Sequence, residues 1–168
     1  PMRICLTPAG NESGTFDETN FLEIDDDAEI LQGFGRPSDE TLLHLSIYRL
    51  RPKARCILYS HSVWGTLLAD RLYADGSINL TGYEVLKGVA DVASYDHTEM
   101  IPIIENSHDH IAQSHVIENV LHDAGNIHGI FIRKHGLFTW GETVAETRRH
   151  VEIFEHLFEV TERTVRAK

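Results

Sequence analysis

Two histidines that follow apolar, strand-like runs are the residues best placed for metal chemistry. His61 comes after the run that begins at Cys56, and His135 comes after the run 129–134. Imidazole nitrogen is a common ligand of Zn²⁺, and a catalytic zinc keeps three protein ligands and one open position. Tyr59 shares a strand face with His61, because residues two apart on a strand point the same way. The pattern predicts a metal site at His61 and His135 with Tyr59 as third ligand, although each histidine alone could be structural.

The chain contains 11 histidines, so other clusters compete for the same role. His108, His110 and His115 lie close together in the sequence. On a helix, residues 108 and 110 would point to different sides, which disfavours a joint metal site. Five further histidines are predicted to lie on surfaces or at interfaces: His97, His122, His128, His150 and His156.

A carbonyl that is polarised by a metal needs a proton-transfer group beside it. Glu84, at the start of a predicted short helix, is our candidate for the general acid and base. The alternative is a solvated carboxylate that favours the helix dipole. Lys87 lies one turn later and would either pair with Glu84 or hold a phosphate. The turn at Gly10 could offer backbone N–H groups to an oxyanion, so Gly10 and Lys87 are candidate substrate-binding residues.

Strand-like and helix-like segments alternate along the chain without an intervening linker. Ser38 is the predicted N-cap of the first helix, and Thr143 with Glu146 has the spacing of a capping box at the start of the last one. The alternation predicts one domain, residues 1–168, in which helices cover a sheet. Strands are predicted at 4–7, 21–25, 30–31, 56–61, 77–80, 101–105, 129–134 and 137–140, and helices after Pro37, through 64–72, at 82–88, at 107–124 and from 143.

Composition limits the partners and the compartment. The formal net charge of −11, with no cluster of lysine and arginine, argues against a nucleic-acid partner. No run approaches the roughly 18 apolar residues of a membrane span, and the first residues lack a signal-peptide pattern. Cys5 and Cys56 lie in apolar runs and are predicted to be buried free thiols. A cytoplasmic location is therefore expected.

Several longer strings of the chain carry a family resemblance. They are residues 6–14, 38–44, 48–52, 60–62 and 134–141, and they resemble the class II aldolase/epimerase family. Three further strings, 82–88, 101–106 and 152–158, are similar to the branch of that family that dehydrates 5-methylthioribulose 1-phosphate.

The resemblance implies a three-layer α/β/α sandwich with a mostly antiparallel central sheet. It implies a lyase of methionine salvage that forms 2,3-diketo-5-methylthiopentyl 1-phosphate. The implied cofactor is one Zn²⁺ per subunit, bound to the C2 carbonyl and C3 hydroxyl oxygens of the substrate. Glu84 would remove the C3 proton and then help the C4 hydroxyl leave as water. The implied assembly is a homotetramer with sites near subunit interfaces.

The sequence departs from the family pattern at two places. The family carries His-x-His where this chain has Tyr59, Ser60 and His61, so Tyr59 stands in the place of a ligand. The family's amino-terminal helix and its Ser-Gly-Asn turn do not precede Pro1, and part of the phosphate site is expected there. Two other functions stay open: a sugar-phosphate aldolase or 4-epimerase of the same fold, and a metal-deficient, non-catalytic relative.

Overall fold

A computed structural model of the chain describes residues 2–10 and 20–166. Strand and helix segments alternate in it, as the hydrophobic patterns predict. The strands of the described residues are β1 Ile4–Leu6, β2 Leu22–Ile24, β3 Ile30–Gln32, β4 Cys56–Ser60, β5 Ser77–Thr81, β6 Thr98–Ile104, β7 Gly129–Ile132 and β8 Gly136–Gly141. Their α-helices are α1 Thr41–Leu50, α2 Val63–Arg71, α3 His110–Asp123 and α4 Val144–Arg166, and short 3₁₀ helices span Tyr73–Asp75 and Glu84–Gly88.

A five-stranded sheet with the order β4-β8-β7-β6-β5 positions the candidate site. Its neighbours are antiparallel except for β6 and β7. The upper end of the sheet therefore holds the ends of β4 and β7 and the start of β8, at Ser60, Ile132 and Gly136. The lower end holds the start of β4 and the ends of β5 and β8. Strands β1, β2 and β3 form a separate antiparallel sheet.

Helices cover both faces of the five-stranded sheet. Helices α2 and α4 pack on one face, where Leu68 and Phe158 join Phe131 in one buried cluster. Helices α1 and α3 pack on the other face, where Ile47 and Ile117 join a second cluster. Strand alternation explains the division, because Ile130 and Ile132 belong to the second cluster while residue 131 belongs to the first. The three-layer α/β/α sandwich with a mostly antiparallel sheet is thus confirmed.

The helix caps differ in part from the predicted ones. The prediction of Ser38 as N-cap of α1 was wrong: Glu40 holds that position and makes no side-chain capping bond. Asp109 caps α3 by accepting a hydrogen bond from the Ala112 N–H. Thr143 accepts from the Glu146 N–H at 3.1 Å, as its spacing predicts.

The structure also bears on the expectations about the two cysteines and about membrane-spanning segments. Both cysteines are free thiols, but Cys5 is exposed and Cys56 only half-buried, so the prediction of buried thiols was wrong for Cys5. Side chains alternate along β1, so Ile4 is buried and Cys5 points to the opposite, open face. None of the helices in the described residues is long and apolar enough to cross a membrane.

Candidate functional site

The upper end of the sheet brings His61 and His135 together. His61 lies one residue beyond β4, and His135 lies one residue before β8. These two strands are hydrogen-bonded neighbours, with Ser60 opposite Leu137. The imidazole centroids are 6.3 Å apart. Two residues distant in sequence therefore lie on one patch, as the sequence pattern predicts.

Tyr59 lies against both histidines. Its ring centroid is 4.7 Å from that of His61 and 5.2 Å from that of His135. The Tyr59 hydroxyl shares a hydrogen bond of 2.7 Å with His61 Nε2. The same hydroxyl is 3.4 Å from the His135 carbonyl oxygen. The phenol therefore occupies the space that faces the two imidazoles.

Glu40 is a further member of this site that the sequence did not reveal. Its Oε1 lies 3.5 Å from His135 Nε2. The side chain comes from the N-cap position of α1, a helix that packs beside β8 on the same face of the sheet. In the sequence Glu40 looks like an ordinary carboxylate at a helix start, and nothing local separates it from Asp39.

Burial keeps the phenol and one imidazole of this site uncharged at neutral pH. Burial raises the pKa of Tyr59 well above its ordinary value, and the negative charge of Glu40 adds to that effect. Burial also lowers the pKa of His135, which Glu40 opposes and His61 reinforces. His135 Nδ1 is buried and has no hydrogen-bond partner among the described residues. The Tyr59 hydroxyl therefore keeps its proton. His135 is a neutral imidazole whose Nδ1 makes no hydrogen bond to the described residues.

These side chains do not fit the zinc site of three protein ligands that the resemblance implies. Zinc takes thiolate, imidazole or carboxylate ligands, and a phenol must lose its proton first. Here the phenol is protonated and engages His61 Nε2, a nitrogen needed for a metal bond. Within residues 2–10 and 20–166, no three His, Cys, Asp or Glu side chains come together as a metal-ligand set.

Glu84 and Lys87 lie elsewhere in the protomer. The 3₁₀ helix Glu84–Gly88 follows β5, which ends at the lower end of the sheet and forms the edge opposite β4. Four strand spacings separate those edges, about 19 Å. The Arg149 side chain on α4 donates to the Gly88 carbonyl at 2.8 Å and holds this segment at the lower end. Within one chain, the fold does not bring Glu84 to His61 and His135.

The two predicted substrate-binding residues have simple surroundings. Lys87 Nζ donates to Glu84 Oε1 at 2.6 Å, so the predicted ion pair is present, and the phosphate-binding role of Lys87 stays a prediction. Gly10 is exposed in the turn after β1 and has a φ of +79°, which favours glycine. Residues 11–14 of the same string lie outside the described residues.

A network on the opposite face fixes the chain on both sides of His61. Glu155 on α4 accepts hydrogen bonds from the hydroxyls of Ser60, at 3.1 Å, and Ser62, at 2.9 Å. Ser62 also caps α2 by accepting from the Gly65 N–H at 2.8 Å. Strand alternation directs these serines to α4 and leaves Tyr59 on the other face.

A second histidine group is buried toward the lower end of the sheet. Glu99 accepts from the His128 backbone N–H at 2.9 Å, and its carboxylate also contacts the imidazoles of His128 and His97. His150 is fully buried, with Nδ1 bonded to the Trp140 carbonyl and Nε2 to the Ala90 N–H. The prediction that His128 and His150 lie on surfaces or at interfaces was wrong, because both are buried inside the protomer and find polar partners there.

Comparison with known proteins identifies the family. The chain matches the Class II Aldolase and Adducin N-terminal domain family over residues 1–161, and it belongs to that family. It is 38% identical to the methylthioribulose-1-phosphate dehydratase of Stenotrophomonas maltophilia (strain K279a), over 91% of this chain and 71% of the relative. It is also 38% identical to the enzyme of that name from Pseudoalteromonas translucida (strain TAC 125), over 91% and 72%.

Solved structures agree on the fold. The crystal structure of YgbL from Escherichia coli superposes with a TM-score of 0.77 at 21% identity, covering 94% of this chain and 72% of YgbL. An identity this low supports the shared fold alone.

Proposed function

We propose that this chain dehydrates 5-methylthioribulose 1-phosphate to 2,3-diketo-5-methylthiopentyl 1-phosphate, the lyase reaction of methionine salvage. The observation that carries the proposal is the 38% identity to dehydratases of that name over 91% of the chain. The two free thiols, Cys5 and Cys56, support a reducing compartment and hence the cytoplasm. An open patch of imidazoles at the upper end is the proposed place of reaction.

The reaction needs one base, one acid and a group that stabilises an enediolate. A base takes the C3 proton, and the electron pair of that bond forms the C2–C3 double bond while negative charge moves to the C2 oxygen. The C4 hydroxyl accepts a proton and leaves as water, and the resulting enol tautomerises to the diketone. We place the C2 oxygen beside the hydrogen-bonded pair of Tyr59 and His61, from which it would accept a hydrogen bond. Glu40 is a carboxylate of the same chain beside that patch.

Glu84 keeps its proposed role as acid and base only if the site is shared between copies. It lies at the lower end of its own sheet, about 19 Å across the strands from β4. We therefore assign the role to Glu84 of a neighbouring copy in a homotetramer, with Lys87 beside it to meet the phosphate. Gly10 and the residues after it are a second proposed phosphate contact.

Zinc is the cofactor that family membership suggests for this chemistry. It would polarise the substrate carbonyl when bound, but His61 and His135 alone do not supply the three protein ligands that it needs. The third position, Tyr59, does not suit that role, because its hydroxyl is bonded to His61.

Turnover of synthetic 5-methylthioribulose 1-phosphate by the purified chain tests the proposal. We expect loss of water from the substrate, and we expect Glu84→Gln to lower kcat by at least about 100-fold. Asp123→Asn is the matched control, since Asp123 is 83% exposed and Glu84 is 72% exposed. A Glu84→Gln rate near that of the parent would remove Glu84 from the mechanism. A parent chain that binds substrate but never releases water would remove the dehydratase function.

A second function is favoured by the contact between Tyr59 and His61, and it is binding of a phosphorylated ketose without turnover. In that case calorimetry would detect substrate binding to the parent chain, while no diketone would form at any enzyme concentration. The two functions differ in one observable, the appearance of product.

A further inference from the structure

We propose that Tyr59 takes the place of the metal at the upper end, so that this chain holds a hydrogen-bonded tyrosine–histidine site in place of a zinc centre. One exchange, Tyr59→His, would convert it into a metal site. The inference concerns the site of the proposed function and rests on that function only for its turnover measurements.

The Tyr59 ring fills a slot between the Phe138 ring and the backbone of Gly136. Tyr59 is the direct cross-strand neighbour of Phe138, and their ring centroids are 4.8 Å apart. A Cβ atom added at Gly136 would come within 2.5 Å of the Tyr59 ring and of the Ser60 carbonyl oxygen. The ring therefore lies directly over a residue without a side chain. The surrounding residues fit the tyrosine, and its hydroxyl is held in one place.

The position of that hydroxyl blocks a metal at His61 Nε2. The oxygen lies 2.7 Å from His61 Nε2, within the hydrogen-bond range, and a Zn–N bond is about 2.0–2.1 Å long. Both partners would use the ring-plane direction of the same nitrogen. A zinc ion there would overlap the phenol oxygen, so binding it requires the Tyr59 side chain to leave its slot.

The other imidazole cannot hold a cation alone. His135 Nε2 lies 3.5 Å from Glu40 Oε1, and His135 Nδ1 has no hydrogen-bond partner among the described residues. One free nitrogen is one ligand, and a stable zinc site needs at least three from the protein. The two pairs, Tyr59 with His61 and His135 with Glu40, thus form a set in which each imidazole already has a partner.

The proposed metal-free site is tested by measuring the zinc content per chain of the purified parent and of two variants. We expect the parent to carry far less than one zinc per chain, and Tyr59→His to bind zinc at least about 100-fold more tightly by competition with a chromophoric chelator. Tyr59→Phe removes the hydroxyl without adding a ligand, so it should stay metal-poor. Should Tyr59→His fail to fold by circular dichroism, Tyr59→Asp supplies a smaller ligand for the same test.

A control locates any zinc that is found. His61→Ala removes the site, whereas His115→Ala removes a histidine of the 108–115 cluster. About one zinc in the parent that His61→Ala abolishes would overturn the inference. Zinc in the parent that only His115→Ala reduces lies elsewhere and leaves the inference standing, with the upper end metal-free.

Turnover in the same samples separates this inference from the proposed function. Product formed by a zinc-free parent supports both. Product formed only by a parent that holds zinc at His61 overturns the inference and keeps the dehydratase. Product formed by Tyr59→His and not by the parent supports the inference and assigns the parent to ligand binding.

Discussion

The two ends of the five-stranded sheet each gather histidines, yet they use them in opposite ways. At the lower end His150 is fully buried and both of its ring nitrogens are bonded to backbone groups. At the upper end His61 is exposed and hydrogen-bonds to Tyr59, and His135 Nδ1 has no hydrogen-bond partner in the part of the chain that the structure describes. A buried imidazole with complete partners supports the fold. An exposed imidazole such as that of His61 is accessible to a ligand.

The largest expected effect concerns the lower end. Glu99→Ala should lower the free energy of unfolding by about 3–5 kcal/mol, because it leaves the buried polar groups of His128 without their partner. Urea denaturation measures this. The control is Glu105→Ala, since Glu105 is 53% exposed in its pair with Arg133 and should cost less than about 1 kcal/mol. Equal losses for both variants would contradict the contrast between the two ends.

A third kind of histidine sharpens the contrast through pH. His44 on α1 packs edge-on against Phe138, and burial lowers its pKa to about 4, with Glu40 opposing. The unfolded chain therefore takes up the proton first as the pH falls. Stability should drop by about 2 kcal/mol from about pH 7.5 to about pH 5 on account of this residue.

The variant His44→Met isolates that contribution. It should remove the corresponding part of the pH dependence, while the part from carboxylates remains. The free energy of unfolding could instead change equally in parent and variant from neutral to acidic pH. That result would show that His44 takes up a proton in the folded protein as readily as in the unfolded chain.

Glu155 should have an intermediate effect, because it links helix α4 to the upper end. Glu155→Ala removes the acceptor of Ser60 and Ser62 and is expected to cost about 1–2 kcal/mol. The nuclear magnetic resonance signals of the Tyr59 and His61 rings should also shift, since both residues lie beside those serines. Glu159→Ala, which loses only an exposed pair with Arg163, is the control and should leave the rings unchanged. If the ring signals of Tyr59 and His61 do not shift in Glu155→Ala, the hydrogen bonds of Glu155 do not position these two side chains.

The smallest effect on stability is expected at the site itself. His61→Ala should change the free energy of unfolding by less than about 0.5 kcal/mol, since the side chain is exposed. The same variant should lose substrate binding or turnover. His150→Ala is the opposite case and should cost about 3 kcal/mol through a cavity and two lost hydrogen bonds. A strong loss of stability in His61→Ala would show that His61 supports the fold rather than a ligand site.

The sequence predicted the parts of the molecule that depend on local patterns. His61 and His135 each follow an apolar run, and their strands turned out to be neighbours, so the pair met as expected. The α/β layers followed from alternating strand and helix segments, and the family from longer strings. The roles of Tyr59, Glu84, Lys87 and Gly10 stay predictions.

Other features depend on strand order and tertiary contacts, which no local pattern carries. The distance of Glu84 from the histidines follows from β5 and β4 being opposite edges. His150 was predicted to lie on a surface or at an interface, but its ring nitrogens bond to the Trp140 carbonyl and the Ala90 N–H inside the fold. Glu40 entered the site because α1 packs beside β8, a contact between segments far apart in the chain.

The bare backbone of Gly136 beneath Tyr59 has a consequence for how this site changes over generations. With no side chain at 136, the space beside Phe138 is open to the ring of residue 59. Tyrosine and histidine codons differ by a single base. One point mutation therefore separates the present hydrogen-bonded site from the proposed metal site, in either direction.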